Sequence, residues 1–172
     1  AEIEGIGPKR IAMIRKAWEE QKEIRAIMIF LQDHGVGAGY AARIFRHYGN
    51  DAVAIVRENP YRLATDVFGI GFITADRIAE KLGFARDSEF RAEAGLFYVL
   101  HALTEEGHVY YPREPLIERC REMLAIDREI LDRALARLAA DRRIILEAPD
   151  PDPADAREND QAVYLAGYFL AE

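Results

Sequence analysis

The sequence predicts a mainly α chain in two parts: tandem glycine-turned helical hairpins, then a smaller α+β unit. Three observations predict it. A Gly–aliphatic–Gly triplet occurs at Gly5-Ile6-Gly7, Gly35-Val36-Gly37 and Gly69-Ile70-Gly71, each time before an apolar pattern of helical period. Self-similarity at roughly 30–35 residues marks a repeat of one supersecondary unit. The residues trailing two of the triplets keep their offsets: Ala41, Arg43, Ile44 and Gly49 after Gly35, and Ala75, Arg77, Ile78 and Gly83 after Gly69. Beyond residue 90 the patterns change to helix, strand, helix, helix, strand, strand.

Each element has its own warrant. Pro8 suits the first turn of a helix, on which Ile11, Ile14 and Trp18 form one apolar stripe. A second helix is expected from Glu23 to Gln32, with apolar residues on more than one face and hence burial between other helices. His34-Gly35 ends it. The next helix runs from Gly39 or Tyr40 to Tyr48, turning Ala41, Ile44, Phe45 and Tyr48 inward, and Gly49 is its stop. Asp51 to Glu58 follows. Asn59 then Pro60 is an N-cap with proline at the first helical position, opening a short helix to Ala64. Thr74 to Leu82 is helical and ends at Gly83.

Residues 85–90 read as a linker, with Ser88 capping a helix that runs to about Glu105 and breaks at Gly107. Val109-Tyr110-Tyr111 is an expected strand. Pro115–Leu124 and Arg128–Ala140 are expected helices, the latter capped by Asp127. Arg143–Leu146 and Ala162–Leu165 are expected strands, and Gly167 opens a last helix. The domains expected are thus 1–84, a linker at 85–90, and 91–172 with an acidic wing loop at 147–160. The helix that a complete hairpin would place before Gly5 is absent from the sequence, so the first hairpin reads as half a motif and the chain as an excised fragment.

Composition narrows the function classes. Half of the 172 residues are hydrophobic, ample for a core. No apolar run reaches the ~18 residues of a membrane span, and the N-terminus shows no signal-peptide pattern. A lone Cys120 excludes an internal disulfide framework and fits a reducing cytoplasm; it falls on an apolar helix face, where a buried thiol is expected. The net charge of −7 is unevenly spread: residues 1–84 carry +1, 85–146 carry −2 and 147–172 carry −6. The hairpin region is therefore not hostile to phosphate. The loop Glu147-Ala148-Pro149-Asp150-Pro151-Asp152-Pro153 invites a calcium reading, but no glycine stands at the sixth position from Asp150, and Gln161 stands where a bidentate Glu is needed. His34, His47, His101 and His108 are too scattered for a metal site.

Three Gly–aliphatic–Gly turns that each open a helix resemble the helix-hairpin-helix motif of DNA-binding proteins. That resemblance implies backbone amides holding a DNA phosphate, in keeping with the free N–H groups and positive dipole end of a helix N-terminus. The candidate DNA-binding residues are Gly7 and Lys9 in the first copy, Gly35, Val36, Gly37, Gly39 and Arg43 in the second, and Gly69, Ile70, Gly71, Phe72, Thr74 and Arg77 in the third. Purely structural packing is the bland reading of the same turns. Thr74 equally suits a cap, and Arg77 has Asp76 and Glu80 beside it.

The words around the turns are more specific. His34-Gly35-Val36, Glu58-Asn59-Pro60-Tyr61-Arg62-Leu63-Ala64, Phe68-Gly69-Ile70-Gly71-Phe72 and Thr74-Ala75-Asp76-Arg77-Ile78-Ala79 resemble the N-terminal region of RecD-like bacterial DNA helicases. The likeness continues through Gly95-Leu96-Phe97-Tyr98-Val99-Leu100 and Gly107-His108-Val109-Tyr110-Tyr111-Pro112. It implies an accessory region of an ATP-dependent helicase involved in DNA repair or recombination, whose ATP and Mg²⁺ belong to ATPase domains elsewhere in the polypeptide. This chain has no G-x-x-x-x-G-K-[ST] loop and no Gly-Lys pair, so no catalytic residue, cofactor or metal is expected in it. Its expected partners are DNA and the protein's own ATPase domains, with no membrane.

The strand and helix order of residues 91–172 resembles a winged helix. In that reading Arg133 and Arg137, four apart and so on one face, mark a recognition helix, but Asp132 and Asp141 dilute it and docking onto a neighbouring domain is the favoured expectation. A second reading of the whole chain, from a different class, is an interaction scaffold that orients motor domains or recruits a partner protein and barely touches DNA.

Overall fold

The computed structural model describes residues 8–147 and 161–169. The chain divides into two compact units, one ending at Leu82 and the other beginning at Gly83. Residues 1–7 and 148–160, with the first triplet and most of the acidic loop, lie outside the described residues.

The first unit is built of α1 (Pro8–Asp33), α2 (Ala38–Tyr48), a 3₁₀ turn at Gly49–Asp51, α3 (Ala52–Glu58), α4 (Arg62–Asp66) and α5 (Phe72–Lys81). The two helices expected within 8–32 are one continuous helix of 26 residues. Nothing between Trp18 and Glu23 breaks it: Glu19-Glu20-Gln21-Lys22 are all good helix formers, and Lys16 and Glu20 pair at 3.9 Å across one turn. Residues 8 to 23 are all exposed, including Ile11, Ile14 and Trp18. Burial begins at Ile27 and Leu31 and stays on one face, with Ile29 half exposed. The expectation of burial on several faces is therefore corrected. Ala41 and Ile44 of α2, Val56 of α3, Leu63 of α4 and Ile78 of α5 complete this core.

Asn59 Oδ1 accepts from the Tyr61 amide at 3.0 Å, but the expected cap at Asn59 with Pro60 at the first helical position is corrected: α4 has Tyr61 at its N-cap and runs from Arg62 to Asp66. Tyr48 at the end of α2 donates to Asp66 Oδ2 at 2.7 Å at the end of α4. Burial alone would raise the Asp66 pKa. Hydrogen bonds from Tyr48 and Thr65, with the Arg62 charge, outweigh it and hold the carboxyl below its ordinary value.

The second unit is α6 (Glu89–Glu105), β1 (Tyr111–Pro112), α7 (Arg113–Leu124), α8 (Arg128–Ala140), β2 (Ile144–Glu147), β3 (Ala162–Leu165) and α9 (Ala166–Phe169). Ser88 caps α6 by accepting from the Arg91 amide at 3.3 Å. Glu89 and Phe90 are thus the first helical turn rather than linker. The sheet order is β1-β3-β2, all antiparallel, with Ile144 opposite Leu165 and Tyr111 opposite Val163. The first strand is shorter than expected: Val109 and Tyr110 lie outside it and are about half exposed. The core joins Leu96, Val99 and Leu103 of α6 to Leu116 and Ile117 of α7 and Leu131 and Leu135 of α8. Gly95 explains itself here, because a Cβ would overlap the Leu124 side chain where α6 meets α7. Cys120 is buried among them, and burial pushes its thiol pKa up to about 12.

Two outcomes follow. Tyr48→Phe should cost about 1 kcal/mol in urea unfolding, the low end for a bond to a charged group because the pair is partly exposed. Asp66 has a depressed native pKa, so its contribution is present above the unfolded carboxylate pKa and fades as pH falls through the native one; the gap between parent and variant should close in acid. Cys120 should resist thiol reagents at pH 8 in the folded protein and react fully in denaturant.

Candidate nucleic-acid interface

The two described Gly–aliphatic–Gly turns share one backbone geometry. Gly35 has φ +78° and Gly69 has φ +82°, a region that side chains disfavour. The aliphatic residue that follows is driven into the core: Val36 is 2% and Ile70 3% exposed. The second glycine then stands at the N-cap of a helix, Gly37 before α2 and Gly71 before α5. The approaches differ. α1 closes with bonds from the Gly35 amide to the Gln32 carbonyl and from the Val36 amide to the Leu31 carbonyl, both 2.9 Å, the six-to-one closure typical of a helix ending in glycine. The five-residue α4 instead leads into a turn closed from the Ile70 amide to the Val67 carbonyl at 3.0 Å.

No side chain caps α2 or α5. The first intrahelical bonds run from Ala41 to Gly37 and from Thr74 and Ala75 to Gly71. Amides of the opening turns, among them those of Ala38, Gly39 and Ile73, therefore have no acceptor within their helices. A Cβ at Gly37, Gly39 or Gly71 would meet nothing within 4 Å, so the approach to these amides is open.

The turns are covered reciprocally. A Cβ at Gly35 would overlap the Lys81 side chain from the end of α5, and one at Gly69 would overlap the Arg43 guanidinium from α2. Arg43 Nη1 also donates to the Phe68 carbonyl at 3.4 Å, and its guanidinium lies 5.7 Å from the Tyr40 ring centre. Each hairpin thus carries a cation supplied by the helix that the other hairpin opens. Arg43, Arg46, His47, Val67 and Phe68 line one open cleft beside the second turn. Among the described residues neither Arg43, Arg46 nor Lys81 pairs with a carboxylate.

The site residues read from the sequence separate accordingly. Gly35, Gly37 and Gly39 come together at the first turn, and Gly69 and Gly71 at the second, where the Arg43 guanidinium also lies. Val36 and Ile70 offer backbone only. Phe72 is 4% exposed, its ring 6.1 Å from that of Tyr61 in a stacked arrangement, so it too can contribute only its amide. Thr74 lies inside the first turn of α5 and does not cap it. Arg77 is exposed on α5 and does not line the cleft. Lys9 sits in the exposed first turn of α1, and Gly7 lies outside the described residues. Reading by offset from the glycines missed Arg46, His47, Phe68 and Lys81. Arg46 was legible as the next residue on the face of Arg43. The reciprocal crossing that brings Lys81 to Gly35 was not.

The chain matches the family model described as the ATP-dependent RecD2 DNA helicase HHH domain over residues 20–110, more than half its length. It belongs to that helix-hairpin-helix family. It is also 33% identical over 113 residues to the ATP-dependent RecD2 DNA helicase of Deinococcus radiodurans, covering 65% of this chain and 16% of that protein. The chain therefore spans about a sixth of its relative's length. No helix among the described residues is long and apolar enough to cross a membrane, and no cluster of His, Cys, Asp or Glu among them could hold a metal ion.

The arginines of α8 contrast with those of α2. Arg133 Nε lies 3.5 Å from Glu89, and Arg137 pairs with Glu89 and, at 3.7 Å, with Glu93 of α6. Arg128 is held by Glu114 at 2.8 Å. These cations tie α8 to α6 and α7. Arg133→Ala with Arg137→Ala should lower the melting temperature by a few degrees and leave DNA affinity within twofold of the parent, as measured by thermal unfolding and DNA titration; a recognition helix would give the reverse pattern.

Proposed function

We propose that this chain grips DNA through its backbone, without sequence preference, as the accessory region of a RecD2-type helicase. What carries the reading is the pair of turns: two uncapped helix N-termini with open glycine approaches, accompanied by Lys81, Arg43 and Arg46. Helix N-termini attract phosphate because their amides point outward and the dipole is positive there. Backbone contacts position a protein on DNA but carry no base identity. Among the described residues, no polar cluster near the turns is arranged as a reader of base edges.

The two turns act as tandem copies of one motif in this proposal. The second unit is read as winged-helix-like, from its element order and its β1-β3-β2 antiparallel sheet. With its α8 arginines engaged inside the unit, it serves as a docking element for the protein's own motor domains. ATP and Mg²⁺ chemistry lies with those domains, because the residues present here do not fit a nucleotide: the sequence has no Gly-Lys phosphate loop. The purified chain should neither bind nor hydrolyse ATP with or without DNA; DNA-stimulated phosphate release from a clean preparation would end the accessory-region reading.

Gripping two or three phosphates implies a shallow salt dependence, with a slope of about −1.5 to −3 in log K against log salt, and affinity roughly micromolar or weaker. Gly37 and Gly71 have negative φ and open space where a Cβ would go. Gly37→Val with Gly71→Val should therefore fold, block phosphate approach, and weaken binding at least tenfold in an anisotropy titration at two salt concentrations. Arg43→Ala with Lys81→Ala should flatten the salt slope. If both folded double variants bind as the parent does, the hairpins are packing elements and the scaffold reading takes their place.

A further inference from the structure

We propose that the second turn carries a stacking platform for an unpaired nucleobase, the Phe68 ring, making the cleft beside it selective for single-stranded DNA. The proposal rests on the backbone-contact reading above and deepens it.

Phe68 is 96% exposed, although it lies between Val67 and Ile70, which are 5% and 3% exposed. Its backbone is fixed on both sides. The Ile70 amide bonds the Val67 carbonyl at 3.0 Å, and Arg43 donates to the Phe68 carbonyl at 3.4 Å. The ring therefore stands in water on a rigid turn, not on a loose loop that could fold it inward. A solvent-facing Phe forgoes the burial that normally stabilises it.

Two of its neighbours are cations. Arg43, Arg46 and His47 share its cleft, and no carboxylate neutralises Arg43 or Arg46 among the described residues. An isolated aromatic ring rimmed by cations differs from an apolar docking patch, whose centre is surrounded by more apolar surface. It has the two parts of a single-strand site: a ring for a base face, and positive charge to track the flanking phosphates. The amides that open α5 lie immediately after the same turn, within reach of the adjoining phosphate. Duplex DNA hides its base faces inside the stack, so the ring can stack only on an unpaired base. The cations and amides serve both forms, so the ring alone should create the difference between them.

The test uses the 172-residue chain, a fluorescent oligothymidine and a blunt duplex of equal length, with circular dichroism as the folding control. Phe68→Ala removes a side chain that touches no core, so the variant should fold. It should weaken single-strand binding about 5- to 100-fold, the range for one base–aromatic stack, and leave duplex binding within twofold. Phe68→Trp should retain the preference. A single strand containing 2-aminopurine should have its fluorescence quenched by the parent and by Phe68→Trp, and not by Phe68→Ala. The stacking platform is overturned if Phe68→Ala binds single strands as the parent does while Arg43→Ala with Arg46→Ala weakens both DNAs, which leaves the backbone reading standing. Equal loss on both DNAs in Phe68→Ala overturns the selectivity. Failure of the parent to bind either DNA removes the backbone reading and the platform together.

Discussion

The first unit depends on two glycines at positive φ. At Gly35 and Gly69 the chain turns from one helix into the next within four and five residues, and the reversal places Val36 and Ile70 in one core. An ordinary residue at either glycine would be strained by about 1 kcal/mol from the backbone alone. It would also collide with Lys81 or Arg43. The turn, the seated aliphatic and the covering cation are thus one arrangement. The second glycines, Gly37 and Gly71, are under no such strain. Their conformations suit most residues, and nothing fills the space before them. A glycine standing where sterics do not demand one leaves room for close approach by something outside the protein.

This constraint also explains what was legible in the sequence. Glycine spacing, Ser88 and the apolar periods of α6 and α8 act locally, and local rules place them correctly. The long α1 was misread because its apolar content falls away between Trp18 and Glu23, and a gap in burial looks like a gap in helix. Intrinsic propensity carries the helix through instead. The first strand was overextended for the converse reason: Val109 and Tyr110 favour strands by type, but strand extent is set by ladder pairing, and β1 pairs with β3 only at Tyr111 and Pro112.

The candidate site was half legible. Sequence offset paired Arg43 with Arg77 as equivalent, on the assumption that each hairpin supplies its own cation. The fold supplies them crosswise, Arg43 to the second turn and Lys81 to the first. Offsets within a repeat describe each copy alone, whereas the covering contacts depend on how the copies pack. Phe68 was overlooked for a related reason. A phenylalanine beside a buried-aliphatic turn is expected in the core, and only its solvent exposure distinguishes it from Phe72, four residues later, which is buried against Tyr61.

Net charge, finally, says less about DNA than the pairing of each charge does. A total of −7 argues against a polyanion as partner, yet the charges are not equivalent. In the second unit Arg113, Arg119, Arg121, Arg128, Arg133 and Arg137 each have a carboxylate within ion-pair distance. Their fields close locally, on the scale of a few ångströms, well inside the ~8–10 Å over which salt screens them. In the first unit Arg43, Arg46 and Lys81 have no such partner among the described residues. They stand beside open helix N-termini whose dipoles add to the same sign. A phosphate approaching α8 meets arginines already engaged and would have to displace a carboxylate to reach them; one approaching the turns displaces only water. Pairing and geometry, which a charge count does not register, are thus what support the proposal of a phosphate site in the near-neutral hairpin unit.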